Sequence, residues 1–364
     1  MRSSRLLSLI MVLFLLNLVV VVDAAVDQIS LFIPAFEGPG SLGQNVATVL
    51  NLQIWHSFRR YPWPDNPDNL DFGKALIIWD NSPLSSQSHS EAEKMAKDIL
   101  AQLVLWGKAY PYGKGIVVQT NLSVPSYRDF RENQLEVWRI TLLGRRIEVD
   151  IPRRRFELSS IVLRKEVIER YSLPSALKIY EKRIGGEPIG IVGDSYIGIQ
   201  FEPSLAKVRS GNVEGWVRLP ELGKKRTEVG DFVAGIIRIF RGDWQGAASS
   251  MRRVVENPNS ITLLKIDAYL YWGMALERQG KSGRTKIENA YRLNPYSLTT
   301  IRYIIMSDLS ALKRLSDITG SKAQKSKLIS TMRSTIDRHA YLFPKNDPWL
   351  QNVLKIVSET TNSE

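Results

Sequence analysis

FIPAFEGPGSLGQNVATVL, residues 32–50, carries the decision about the first half of this chain. Gly38, Gly40 and Gly43 spell G-x-G-x-x-G, and Ala47 follows four residues on. Ile29, Leu31 and Ile33 precede the glycines, which predicts a strand over 29–36. Val46, Val49, Leu50, Ile54 and Phe58 recur at spacings of three and four, which predicts a helix over 43–58. Strand, glycine turn and helix is how a dinucleotide site begins, with glycines that let a pyrophosphate approach a helix N-terminus. The rival reading is a strand–turn–helix whose glycines serve backbone geometry alone. A dinucleotide site expects a carboxylate about 20 residues further on, at the end of the second strand. Asp65 and Asp68 fall in the proline-rich loop YPWPDNPDN, and Asp80 trails Gly43 by 37 residues. The geometric reading is preferred, with no cofactor expected; Gly38, Gly40 and Gly43 remain the alternative nucleotide-binding set.

Composition narrows the function classes. The 364 residues are 44% hydrophobic and 24% charged, which excludes bulk disorder and allows two or three domains. A net charge of +12 favours anionic partners. The leader chooses among them. MRSSR precedes a 17-residue apolar run, residues 6–22, and Val22-Asp23-Ala24 ends in a cleavage pattern. The reading is a secretory signal peptide over 1–24, cut after Ala24; the alternative is an uncleaved N-terminal membrane anchor. A periplasmic or secreted protein meets other proteins, peptidoglycan or anionic lipid, and no nucleic acid is expected. With no cysteine there is no disulfide, thiol catalysis, Cys-ligated metal or lipidation.

Three textures follow. Residues 25–175 alternate strands and helices: a buried strand over 75–79, a helix capped by Ser90 with Glu93 and running to about 103, and two hairpins. The helix is expected to set Met95, Ile99 and Leu103 on one face. The first hairpin is LVLWGKAYPYGKGIVVQTNLSV, residues 103–124; the second turns at Leu143-Gly144 between 135–142 and 145–151. The expectation is an α/β layer with a mixed sheet, ending in a helix stopped before Pro174. Residues 176–223 are glycine-rich short strands, expected to close as a small barrel. From 229 to 345 the pattern is helical, with 346–364 left as a C-terminal tail.

Two repeats stand out in the helical part. Gly235, Ala247, Met251, Val254 and Pro258 recur in part as Gly273, Ala290 and Pro295, with spans of 38 residues between glycines and 37 between prolines. Their small residues should let paired helices approach closely, and the pattern resembles tetratricopeptide repeats. A third pair is expected over 297–315 and 321–341. Upstream, Ile189-Gly190-Ile191-Val192 and Gly215-Trp216-Val217 resemble the middle and end of a bacterial SH3-like domain. Phe36-Glu37-Gly38, then Leu42-Gly43 with Val46-Ala47, an Ala92/Ala96/Ala101 helix and the LVLWGKA hairpin resemble the periplasmic α/β domains of TolB and CsgG. That resemblance implies an envelope protein with assembly or interaction roles and no catalysis.

Motifs for chemistry are scarce. GKAYPYGKG, residues 107–115, has five residues between its glycines and lacks the hydroxyl after lysine that a phosphate loop needs. His56, His89 and His339 are scattered and H-E-x-x-H is absent, so no metal site is expected. No acidic pair has a spacing that marks a general acid and base, and no catalytic residue is assigned. Asn121-Leu122-Ser123 is a formal glycosylation triplet. Tyr61 and Trp63, set among prolines, are surface-recognition candidates, and Lys224-Lys225-Arg226 reads as a solvated linker. Between Arg139 and Arg183 there are 12 basic and 6 acidic residues. Arg145, Arg146, Arg153, Arg154 and Arg155 form the candidate anion-facing patch, against the alternative of local ion pairs. The reading is a non-catalytic envelope scaffold that takes a partner segment on the concave face of its helical pairs. The alternatives are a nucleotide-dependent protein or enzyme using GPGSLG, and a cell-wall-binding module.

Overall fold

In a computed structural model the described residues are 29–58, 75–80, 85–125, 137–165, 168, 178–192, 195–201, 205–218, 227–316, 318 and 321–362. The leader, Tyr61, Trp63, the 224–226 linker and most of the helix expected before Pro174 lie outside them.

The first unit follows the glycine turn. Strand β1 (Ile29–Ile33) leads to α1 (Leu42–Phe58), then β2 (Ala75–Asp80), α2 (His89–Asp98) and β3 (Leu103–Tyr112). β1 lies between β2 and β3 and is parallel to both. All five of its residues are buried, as expected of a strand covered on both faces. Ile29, Leu31 and Ile33 belong to the core formed with Val46, Val49, Leu50 and Ile54 of α1. Phe32 lies in a second core with Ala92 and Ala96 of α2 and Trp106 of β3. The two helices therefore cover opposite faces of the sheet.

Backbone contact fixes the turn. The Phe36 N–H donates to the Gly43 carbonyl at 3.2 Å, and a Cβ on Gly43 would lie 1.7 Å from the Phe36 oxygen. A Cβ on Gly38 would lie 2.8 Å from the Ala109 oxygen. Gly40 adopts φ +53 in open space. At Gly38 and Gly43 the motif glycines thus answer close backbone packing, and at Gly40 a left-handed turn.

The expected cap on α2 shifts by two residues. Ser88, not Ser90, is extended and accepts from the Glu91 N–H at 3.3 Å, while Glu91 reaches back to the Gln87 N–H at 2.8 Å. The helix ends at Asp98, and Leu100 takes φ 58 before the chain enters β3. Leu103 is therefore a strand residue and Ile99 is exposed, so the expected Met95–Ile99–Leu103 face does not exist.

β3 and β4 (Gly115–Ser123) form the long hairpin, with β7 (Arg155–Glu157) and β8 (Ile161–Arg164) end to end along the other edge of β4. β5 (Val137–Leu142) and β6 (Arg145–Asp150) form a separate two-stranded sheet around Leu143 and Gly144, both at positive φ. The glycine-rich region supplies β9 (Lys178–Tyr180), β10 (Pro188–Ile191), β11 (Ser195–Phe201), β12 (Leu205–Ser210) and β13 (Val213–Arg218). Among the described residues these five strands are not closed on themselves. β11 pairs antiparallel with β2, so the strands continue the first sheet into one curled half-barrel of eleven strands. The edge left open by β2 is thereby paired, which is the physical reason a separate barrel does not form.

Helices complete the molecule: α3 (Glu228–Phe240), α4 (Trp244–Glu256), α5 (Thr262–Arg278), α6 (Arg284–Leu293), α7 (Leu298–Ser316), α8 (Lys322–His339) and α9 (Pro348–Asn362). A Cβ on Gly235 of α3 would lie 2.6 Å from Met251 of α4, and one on Gly273 of α5 would lie 2.5 Å from Ile287 of α6. Close approach within each pair is thus as expected. Two expectations change. The last segment is a helix rather than a tail, capped by Asp347 and anchored by buried Val353, Ile356 and Val357. The groove expected to take a partner is occupied by the chain itself. Tyr271 of α5 donates to the Arg153 carbonyl at 2.8 Å, and Tyr303 of α7 donates to the Asp150 carbonyl at 3.0 Å. Phe232 of α3 meets Phe156 at 5.1 Å. The small β5–β6 sheet cannot bury its apolar face alone, and α7 and α9 pack against it.

Gly43→Ala should destabilise the fold by more than about 4 kcal/mol, because backbone must move. Gly40→Ala should cost only about 1 kcal/mol, the penalty of a left-handed non-glycine residue. Urea denaturation of both variants checks the order; equal losses would contradict the close contact at Gly43.

Candidate functional site

A cleft of about 820 Å³ opens between α2, the 150–157 segment and the start of α5. Helical periodicity builds one wall. His89, Glu93 and Lys97 lie four residues apart along α2 and share a face, while Ala92 and Ala96 point into the core. Strand alternation builds the other. In β7 Phe156 is buried, whereas Arg155 and Glu157 turn outward. Asp150, Arg153 and Arg154 complete this wall.

At its floor His89 is held by a buried serine. His89 Nδ1 lies 2.7 Å from Ser123 Oγ, and Trp106 Nε1 donates to the same oxygen at 3.0 Å. The indole and imidazole rings meet edge-on at 5.0 Å. Ser123 Oγ accepts from Trp106 and has a second acceptor site and one proton left, so it meets His89 Nδ1 whichever ring nitrogen carries the proton. Burial lowers the His89 pKa below 6.5, and the Arg155 charge lowers it further, against Glu93 and Glu157. The neutral ring is a hydrogen-bond donor at pH 7. Ser123 is fully buried, which makes it a strut for the ring rather than an accessible nucleophile.

The candidate patch divides. Arg145 pairs with Glu359 of α9, with Nε at 3.1 Å from Oε2, and Arg146 pairs with Glu148. The first ties the β5–β6 hairpin to the last helix, and the second lies within β6. Arg153, Arg154 and Arg155 line the cleft instead. Arg153 contacts Asp267 at 3.3 Å, and Arg155 forms a two-point pair with Glu93 at 2.7 and 3.1 Å. The five arginines are therefore not one surface. Gly38, Gly40 and Gly43 lie at the far end of β1, with Gly40 beside a smaller cavity.

Sequence reasoning missed His89, Ser123 and Trp106 because they come from a helix and two strands with no spacing signal. Asp267 was missed as well. It is 6% exposed, and burial raises its pKa from 3.8 to about 6 against the opposing Arg153 charge. Asp308 behaves alike beside Arg284, also at about 6. Among the described residues no three His, Asp or Glu side chains converge as a metal site, and no helix is long and apolar enough to cross a membrane. Comparison of the chain with protein-family models, curated proteins and solved structures finds no match.

Arg155→Gln should raise the His89 pKa, since it removes a lowering charge and releases Glu93; an NMR titration of the imidazole tests this, and an unchanged value would refute the coupling. Asp267 has a folded pKa above its unfolded one. Its stabilising protonation is complete below 3.8 and lost as pH rises through about 6. Between about pH 5 and 7 this loss amounts to about 1 kcal/mol. Asp267→Asn should shrink the difference between the unfolding free energies from urea denaturation at those two pH values by that amount.

Proposed function

We propose that this chain is an exported, non-catalytic adaptor of the bacterial envelope that binds an acidic segment of another protein in the α2/β7 cleft. The observation that carries the reading is the row Arg153–Arg154–Arg155 facing Lys97 across that cleft, with the His89 ring also in its lining. Guanidinium forks recognise carboxylates with two-point geometry, so an acidic segment would exchange with Glu93 on Arg155 and Asp267 on Arg153, and Lys97 adds unspecific attraction. The leader supports export to the periplasm or beyond.

The TolB- and CsgG-like character of residues 28–125 supports an assembly role. The tetratricopeptide-like reading of the helices belongs to the same proposal. Gly235 against Met251 and Gly273 against Ile287 support it. Because residues 137–160 lie on the first helices of these pairs, the helical array serves here as an internal brace that aims the cleft. Peptidoglycan or anionic lipid would use the same arginines.

The test is capture of partners from the native envelope by the full chain and by Lys97→Glu/Arg154→Glu, at low and high salt. A single protein retained by the wild type, lost about tenfold in the variant and weakened by salt, is the expected result. Equal retention by a variant with unchanged melting temperature would sink the cleft. Recovery with sedimented peptidoglycan alone would favour the wall-binding reading, and a bound nucleotide the GPGSLG one.

A further inference from the structure

We propose that the outer face of the β3–β4–β8 strands, at the tip of the long hairpin, docks on an anionic lipid surface. This face is separate from the α2/β7 cleft, and the proposal does not rest on the adaptor reading.

Strand register defines the face. Tyr110 lies opposite Val117, and Val117 opposite Val162, which makes one row across the three strands. Tyr112, Gly115 and Arg164 make the next row. Residues directly opposite one another share a face, and alternate residues along each strand return to it. The other face of these strands carries Ala109, Ile116, Val118, Ile161 and Leu163, all buried. Helix α2 covers the outer face only at its far end, over Val104 and Trp106.

An antiparallel sheet with one solvated face alternates apolar inward and polar outward. The outward positions here break that pattern. Tyr112 is 72% exposed, Val162 70% and Tyr110 40%. Gly115 adds no side chain between Tyr112 and Arg164. A Cβ there would lie 2.9 Å from Val162 Cγ1, so Val162 leans into the bare place and makes the patch continuous.

The surroundings decide the occupant. Lys114, in the hairpin turn, and Arg164 are exposed, and among the described residues neither meets a carboxylate. Glu37, the acid beside the patch, is held by Lys108 at 2.8 Å. The charge left over is positive and complements lipid phosphate. Tyrosine has an apolar ring and a polar tip, which places it at headgroup level. A second copy of the chain fits less well. Two tyrosines and a valine expose on the order of a few hundred Å², against roughly 800 Å² per partner in a stable pair. Addition of a strand is blocked where β3 runs on past Glu37. Gly107 and Ala109 turn their backbone groups to that edge and bond Glu37 there. Pro111 is next in the alternation and has no N–H to offer.

The chain has no cysteine, so a single one can carry an environment-sensitive dye. The reporter is Gln119→Cys, exposed on the same face, and the control is Gln245→Cys, exposed on α4. Both are made in the full chain, so attachment through residues 6–22 is common to them. Vesicles of phosphatidylglycerol should shift the reporter to the blue and leave the control unmoved. Phosphatidylcholine vesicles should need at least about tenfold more lipid, and salt should weaken the response. Tyr110→Thr/Tyr112→Thr, which keeps strand-forming residues, and Lys114→Glu/Arg164→Glu should each raise the lipid required at least about tenfold. Lys97→Glu/Arg154→Glu should respond as the wild type does, which separates this face from the cleft. No shift on phosphatidylglycerol, an equal shift of the control, or an unchanged response in both face variants would overturn the proposal. A shift that grows with protein concentration without lipid would assign the face to a second copy. An equal shift with peptidoglycan would overturn the lipid assignment.

Discussion

Helix α3 is the part on which the rest of the molecule depends. All 13 of its residues are buried, so it has no solvent face at all. It touches α1 through Gly230, where a Cβ would lie 2.8 Å from Ser57, and α4 through Gly235. Phe232 reaches Phe156 of β7 and Tyr271 of α5. A helix in this position must be apolar all round or pair every charge it carries. Asp231 accepts from Arg253 at 2.9 Å, and Arg238 donates to Ser250 at 2.5 Å. Sheet and helices consequently share one main core, and neither half presents its inner surface to solvent.

This packing explains why so much charge near the middle of the chain is structural. Arg145 reaches across to α9, Arg155 to α2 and Arg153 to α5. Each joins elements distant in sequence, and each is at least a third exposed, so its stabilising effect is small and sensitive to salt. What the pairs contribute is placement. They hold the 150–157 segment against α2 and leave a cleft whose walls are polar while its supports are buried. The tyrosines perform the corresponding service for the backbone: Tyr271 and Tyr303 satisfy carbonyls of a segment that would otherwise enter the core without partners.

Legibility differed by the range of the force involved. The β1–α1 unit, both hairpins and the helical pairs were readable, because turn chemistry and periodicity act over a few residues. The α2 cap was misplaced by two residues, since Ser88 and Ser90 carry the same side chain and only backbone conformation distinguishes them. The barrel over 176–223 was read as separate because nothing in β11 announces that β2 will be its neighbour. The segment 346–364 was set apart as a tail although Trp349, Leu350, Val353, Ile356 and Val357 recur at helical spacing, because its place against β6 is not written in that spacing. His89 and Ser123 were invisible as site residues: a lone histidine or serine acquires meaning only from what surrounds it.

By itself the sequence determined the local elements, the basic character and the close approaches that demand glycine, because each follows from steric or electrostatic limits written in neighbouring residues. Only the tertiary structure decided that the two sheet regions are continuous, that the helical groove is filled from within, and that five arginines divide between a brace and a cleft. The reason is that pairing of open strand edges and burial of apolar faces are settled by competition among all the surfaces of the chain. No short segment records the outcome of that competition.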